Sequence, residues 1–323
     1  MIVWRNACIA SALFVTLAAQ AANVGAASVA LPVLVPQRVA PDIYFIQGKA
    51  GVASRKNHGF NSNAGFVVTH DGVVVIDALG TTVLGTAMVA AIRKITDKPI
   101  RKVIVTHYHA DHVYGLQAFK EAGAEIWAHV AAREYLNGGE GAARLLQRRV
   151  DLAPWVDEAT KLIPADVWIE GNQSFTLGGI QFDIVYLGPA HSPEDIIIVV
   201  GKSGVLFTGD ILFTGRIPFV GEADSKRWLQ TFSKLIDLKP HTMITGHGAP
   251  SRNPAADFAL TRDYLIFIRQ SMGKAVEDFV AFDEAYAKTD WSRFAKVPAF
   301  EAANRINAYG TYLLMEKESL SKK

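Results

Sequence analysis

Cysteine is nearly absent: the 323-residue chain carries one, Cys8. A single thiol closes no intrachain disulfide. It also lies in a segment read below as removable, so the remaining chain has no thiolate nucleophile and no sulfur ligand. Any metal would have to be held by imidazole and carboxylate, ligands that survive an oxidising compartment. An excess of one charge is missing too. The 33 Lys and Arg stand against 31 Asp and Glu, a formal charge of +2, with no basic block or acidic tail. That distribution argues against nucleic acid as a partner. Low-complexity stretches, linkers and short-period repeats are also lacking. One domain is therefore expected, running from about residue 41 to the end and including a helical extension from about residue 254.

Charge is missing locally as well, since no charged residue occurs between Arg5 and Arg38. The apolar stretch Ala7 to Ala19 follows one positive charge and leads into small-x-small sites such as Ala19-Gln20-Ala21. This is the layout of a secretory signal peptide over roughly residues 1–26. The competing reading is an uncleaved anchor, but Ala, Gln and Asn dilute the stretch, and Pro32 and Pro36 break it. Cleavage, a periplasmic or secreted location and no stable membrane insertion afterwards are the expectation. Loss of Arg5 would leave a charge of +1, from 32 basic against 31 acidic residues.

The rest of the chain alternates strand and helix patterns. Ile43 to Gln47 reads as a strand, and Gly65 to Ala78 as a hairpin turning at Asp71-Gly72. Between them Gly51 to Asn63 is rich in Gly, Ser and Asn, has no periodicity, and reads as a mobile loop. Val83 to Ile95 is helical, Lys102 to Val105 is a short strand, Val113 to Glu121 is helical and Glu125 to Ala128 is a strand. Ala131 to Arg149 is a helix interrupted by Gly138, Gly139 and Gly141. Further strands are expected near 167–170, 174–177, 181–187, 196–200, 205–208 and 242–245, with a helix at 225–238. Residues 254–282 and 299–317 are helical in pattern, the first with Tyr264, Leu265, Ile268, Met272, Val276 and Phe279 on one face. Such alternation implies an α/β fold built from βαβ units, with sheets covered on both faces.

Chemistry concentrates just beyond the strand ending at Val105. In Thr106-His107-Tyr108-His109-Ala110-Asp111-His112, three imidazoles and a carboxylate fall within six positions. One histidine alone is more often a surface or core residue than a ligand. Solvated turns, however, are built from Gly, Asn, Ser and Pro, so this grouping points to metal. Side chains two apart in an extended turn can face one ion while the next pair is carried round to a second, and the strand end gives them rigid backing.

His107-x-His109-x-Asp111-His112 resembles the HxHxDH signature of the metallo-β-lactamase superfamily. The resemblance implies a four-layer αβ/βα sandwich, here with C-terminal helices, and three further ligands downstream. His191 in Gly188-Pro189-Ala190-His191-Ser192-Pro193, Asp210 in Thr208-Gly209-Asp210 and His247 in Thr245-Gly246-His247-Gly248 match them. Each follows an expected strand beside Gly or Pro, residues that let backbone approach a metal or substrate. By the same resemblance His107, His109 and His191 hold a first metal, and Asp111, His112 and His247 a second, with Asp210 bridging. Two Zn2+ are expected, iron or manganese being compatible with the ligand types. This uses five of the nine histidines. His58 is a possible loop contact to a small-molecule substrate, while His70, His129 and His241 have no motif around them.

Two divalent ions about 3.5–4 Å apart can share a water, lower its pKa toward about 7 and polarise the carbonyl it attacks. Asp111 would orient that nucleophile or shuttle its proton. Asp210 as bridging ligand resembles the glyoxalase II-like and lactonase-like branches. β-Lactamases with a cysteine-containing site carry Cys there and Lys three residues on, where this chain has Phe213. Arg216 offers an alternative carboxylate contact, set against the ordinary reading of a lone Arg as a surface ion pair. The run from Asp210 to Gly248 is similar to exported zinc metallohydrolases associated with sulfur-oxidation and quinoprotein systems. Hydrolysis of an ester, thioester or lactone is therefore expected. β-Lactam hydrolysis, mono-iron persulfide dioxygenation and a non-enzymatic metal-binding role are the alternatives, with metal content to separate them.

Overall fold

Val73 and Val75 of one strand pack toward helices, while Val74 and Ile76 pack toward a second sheet. A strand apolar on both faces belongs to a sheet covered on both sides, and that local fact sets the architecture. In this computed structural model, which describes residues 31–321, two sheets lie face to face between two helical layers. The proposed signal segment falls outside the described residues.

The first sheet runs in sequence order through β1 (Gln37–Ala40), β2 (Ile43–Ile46), β3 (Ala64–Thr69), β4 (Gly72–Ile76), β5 (Ile100–Ile104), β6 (Glu125–His129) and β7 (Val167–Ile169). Its first four strands are antiparallel, and from β4 onward the pairs are parallel. The change of sense follows from connection length. The β3–β4 turn is short, whereas α1 (Thr82–Arg93), α2 (Ala110–Val113) with α3 (Leu116–Glu121), and α4 (Ala132–Asn137) with α5 (Glu140–Leu152) fill the crossovers. Thr81 caps α1, its hydroxyl accepting from the Leu84 N–H at 3.2 Å. The helices bury Leu84, Met88, Ile92, Leu116, Phe119 and Leu145 against the sheet.

The second sheet has the order β12–β11–β10–β9–β8, from β8 (Gln173–Leu177), β9 (Ile180–Val185), β10 (Ile197–Val200), β11 (Val205–Phe213) and β12 (Thr242–His247). Only β11 and β12 pair in parallel, across the helix α6 (Ser225–Asp237). Phe45, Val67 and Ile104 of the first sheet meet Phe182, Ile198 and Phe207 of the second in the central layer. α6, α7 (Pro254–Glu277) and α9 (Phe300–Leu320) cover the outer face, burying Trp228, Phe232, Tyr264, Leu265 and Ile268, with α8 (Phe282–Lys288) between the last two. Each large apolar side chain so placed contributes about 1.5–3 kcal/mol.

Several elements differ from the sequence reading. β1 lies ahead of residue 41, because Gln37 and Arg38 pair with Phe45 and Tyr44. The helical region over 131–149, by contrast, is interrupted at its glycines as expected, giving two helices divided where Gly139 takes φ 89°. β11 runs past Thr208 to Phe213, so Asp210 sits within a strand rather than at its end; the left-handed Gly209 (φ 51°) makes the bulge that turns it inward. The second half is a largely antiparallel sheet, not a repeat of βαβ units, since hairpins link β8 to β9 and β10 to β11. The loop 51–63, read as mobile, is tied down. Arg55 donates to the Val150 and Asp151 carbonyls, Trp155 donates to the Arg55 carbonyl, and His58 stacks on Trp155 at 3.9 Å. Among the described residues no helix is long and apolar enough to cross a membrane.

Candidate metal centre

All seven residues singled out from the sequence converge in the cleft between the two sheets' ends. Their ligand atoms form three overlapping groups: His107, His109 and His191; His107, His112 and Asp210; Asp111, His112 and His247. The first four positions come from the β5–α2 turn and helix α2, His191 from the β9–β10 connection, Asp210 from the β11 bulge and His247 from the end of β12. His107 and His112 link the three groups, and Asp210 stands among the rings. Its carboxylate lies 3.2 Å from His247 Nε2, 3.4 Å from His112 Nε2, 3.5 Å from His191 Nε2 and 3.9 Å from His107 Nε2.

The outward nitrogens are already committed, and this aims the inward ones. His112 Nδ1–H donates to Asp77 Oδ2 at 2.9 Å, His191 Nδ1–H to the Phe219 carbonyl at 2.8 Å, and His247 Nδ1–H to the Asn61 carbonyl at 2.7 Å. His107 Nδ1–H reaches Thr106 Oγ1 at 3.1 Å, and that hydroxyl in turn donates to Asp77 Oδ2 at 2.8 Å. In the neutral form of each of the four rings, Nε2 is thereby left as a lone pair. His109 is reversed, presenting Nδ1 at 2.7 Å from His191 Nε2. Two ring nitrogens that close require a proton or a metal between them. His107 Nε2, His112 Nε2 and Asp210 Oδ1 are buried and have no hydrogen-bond partner. Orphaned donors and acceptors at this depth cost about 1–3 kcal/mol each unless something binds them, so the residues fit a metal site.

The electrostatics divide the cluster. Burial, then the neighbouring imidazoles, holds His107 well below the usual histidine range, and burial with His191 brings His109 down to about 3. Burial lowers His191 also. At His112 burial acts the same way but is outweighed by Asp210, Asp77 and Asp111, so this ring is raised well above its ordinary value. Burial tends to raise Asp111 and Asp210; the facing imidazoles of His112 and His247 prevail and hold both carboxyls low. Asp195, beside His107 Nδ1 at 3.9 Å, is pushed well up by burial.

Among solved structures, the chain resembles a metallo-beta-lactamase from Pontibacter korlensis (TM-score 0.58, 18% identity, 72% of this chain and 99% of that one). It also resembles the sec-alkylsulfatase Pisa1 from Pseudomonas sp. (TM-score 0.64, 17% identity, 87% of this chain and 50% of that one). The family model of the metallo-beta-lactamase superfamily matches residues 58–247, more than half of the chain. The chain belongs to that superfamily. Among curated relatives, a linear primary-alkylsulfatase of a Pseudomonas strain is 22% identical over 68% of this chain. The chain spans about half of that relative's length, 48%. Metallo-beta-lactamase IND-1 of Chryseobacterium indologenes is 24% identical over 58% of this chain and 72% of its own. Members named for two different chemistries thus share this fold, and the four-layer arrangement expected from the motif is observed.

Residues that sequence reasoning passed over hold the superfamily cluster in shape. Asp77 closes the apolar strand β4 and accepts from His112, the Thr106 hydroxyl and the Thr106 N–H. A carboxylate at the end of an apolar run was its visible signal. Asn61 donates to Asp111 Oδ2 at 2.8 Å, and Ser62 to the Asp111 carbonyl. Asn63 donates to the Thr245 and Gly248 carbonyls on either side of His247. Arg216 is buried, not a surface ion pair. It donates to the Gly51 carbonyl at 2.8 Å, and among the described residues no carboxylate lies within ion-pair distance. Phe213 stacks on the His247 ring at 5.1 Å. His58 meets Trp155, His129 stacks on Tyr186, His70 pairs with Asp71 at the surface and His241 lies beside Gly204.

Proposed function

We propose that the protein is an exported, metal-dependent hydrolase of a small carbonyl substrate (an ester, thioester or lactone) with a dinuclear, zinc-loaded centre. The observation that carries this reading is Asp210, a buried carboxylate within 3.9 Å of His107 and His191 on one side and within 3.4 Å of His112 and His247 on the other, with Oδ1 unpartnered. His107, His109 and His191 would hold one ion, Asp111, His112 and His247 the other, and Asp210 would serve both. Bound there, divalent metal lowers the pKa of water toward about 7 and acts as a Lewis acid. Asp111, fixed by Asn61 and Ser62, orients the attacking water or takes its proton, and no protein nucleophile is required.

A cavity of about 190 Å3 adjoins the centre, lined by Lys49, Asn61, Arg216 and the glycines 215 and 248 among others. It contains two cations and no carboxylate, which favours a substrate carrying an acidic group. The same cavity favours a second reading, hydrolysis of an alkyl sulfate ester, in line with the names of the sulfatase relatives. Other relatives are named for β-lactam hydrolysis, but Phe213 occupies the position of the lysine noted above, which argues against that reading.

Metal analysis of the purified protein, with turnover of a thioester, a lactone, an alkyl sulfate and a chromogenic cephalosporin, tests the reading. Two zinc ions per chain and carbonyl hydrolysis lost in Asp111→Asn and His191→Ala are expected. One iron per chain would favour persulfide chemistry instead, and absence of bound metal would leave a binding protein. Export is checked by fractionation, with the mature chain expected outside the cytoplasm.

A further inference from the structure

The family match ends at residue 247, yet α9, far beyond it in sequence, grips the segment that backs His191. His191 is aimed by one outward bond, from Nδ1–H to the Phe219 carbonyl. Phe219 lies in the irregular segment between β11 and α6, where no ladder holds the backbone. Asn307 of α9 supplies the missing hold. Its Oδ1 accepts from the Val220 N–H at 2.7 Å and the Gly221 N–H at 3.3 Å, and its Nδ2 donates to the Pro218 carbonyl at 2.8 Å. The side chain thus brackets Phe219 on both sides. The second Nδ2 hydrogen goes to the Tyr264 hydroxyl of α7 at 3.0 Å, and Tyr264 donates to Asn304 Oδ1 at 2.8 Å. Asn307, Asn304 and Tyr264 are each fully buried. All four hydrogen-bonding positions of the Asn307 amide are used, so one orientation is favoured.

Two further contacts bind the same segment. The Ile217 N–H donates to the Pro298 carbonyl at 2.9 Å, just ahead of α9. Gly310 approaches the Gly221 carbonyl so closely that a Cβ there would lie 1.9 Å from its oxygen. A helix interior is an unfavourable place for glycine, and this close approach is what requires it.

We infer that Asn307 is a positioning residue for the metal centre: by clamping residues 218–221 it fixes the Phe219 carbonyl, and through it the tautomer and aim of His191. The C-terminal helices then back the aiming bond of the His107, His109 and His191 group, while in the Asp111, His112 and His247 group the aiming hydrogen bonds come from Asp77, Asn61 and Ser62. This rests on the metal-dependent reading only in that the group binds metal.

Cobalt titration of the chelator-treated full-length protein, followed by visible absorption and by competition with a chelator, tests it without reference to turnover. Asn307→Asp keeps the two accepting bonds and loses the donated ones, Asn307→Leu loses all four, and Gly310→Ala pushes on Gly221 from the same helix. Affinity at the three-histidine group is expected to fall at least tenfold in Asn307→Asp, and further in Asn307→Leu if it folds. Gly310→Ala should weaken the same group, and the other group should stay within about threefold throughout. Phe258→Leu, in the same outer core but packed on Phe232 of α6, is the comparison for lost stability. Unchanged affinity in Asn307→Asp and Gly310→Ala, or an equal loss at both groups matched by Phe258→Leu, overturns the inference. If wild type binds cobalt but turns nothing over, the proposed hydrolysis fails while the clamp stands.

Discussion

The two halves of the candidate centre contain similar ligands in unlike surroundings. His107, His109 and His191 are backed by neutral groups, the Thr106 hydroxyl and the Phe219 carbonyl among them, and burial keeps them uncharged. His112 faces Asp77, Asp111 and Asp210 and is driven toward its charged form. One half offers lone pairs at once; the other must give up a proton to accept metal. Similar residue types therefore acquire different affinities from what stands behind them.

The largest expected effect erases the difference. Asp210→Ala should remove metal from both halves and reduce kcat/KM more than a hundredfold, because Asp210 is the member nearest to four imidazoles. Retention of two metals by that variant would break the comparison. Next, Asp77→Asn should weaken the Asp111, His112 and His247 half by about 10–100-fold and the other half less, because Asp77 touches His112 directly and His107 only through Thr106; the readout is loss of one metal equivalent first in a chelator series.

Acid should separate the halves without mutation. A raised His112 pKa means that protons compete for that ring from neutral pH downward. The lowered values at His107, His109 and His191 leave those rings free of protons until the pH falls below the ordinary histidine range, with His109 resisting to about 3. Dialysis over a pH series should release the metal at the His112 half first, and release in the reverse order would contradict the division. The smallest effect is expected for Asn61→Ala. It removes one hydrogen bond to the Asp111 carboxylate, and kcat should fall about tenfold with metal content retained.

A second contrast lies in how far each support could be read in advance. His107 to His112 sit within one turn, and their chemistry is visible in the bare sequence. His191, Asp210 and His247 became legible only as matches to the resemblance, each beside glycine or proline. Asp77 was half visible, as a carboxylate ending an apolar strand. Asn61, Asn63 and Asn307 were not, because an amide in a loop or helix has no distinguishing pattern until its partners are known. The same reason explains the errors of fold. Hydrophobic periodicity locates nearly every strand and helix, but not which strands pair, so βαβ units are expected where the second sheet is largely antiparallel, and β11 is expected to end before Asp210.

What the sequence by itself determined was the ligand chemistry, imidazole and carboxylate without sulfur, and the succession of strands and helices. Both are properties of single segments, set by side-chain type and local period. Only the tertiary structure decided that Asp210 stands inside a strand, that the 51–63 loop is tied down, and that a helix from the far end of the chain grips the segment behind His191. Those outcomes depend on contacts between residues far apart in the chain, whose geometry is settled when the two sheets and their outer helices close on a common core.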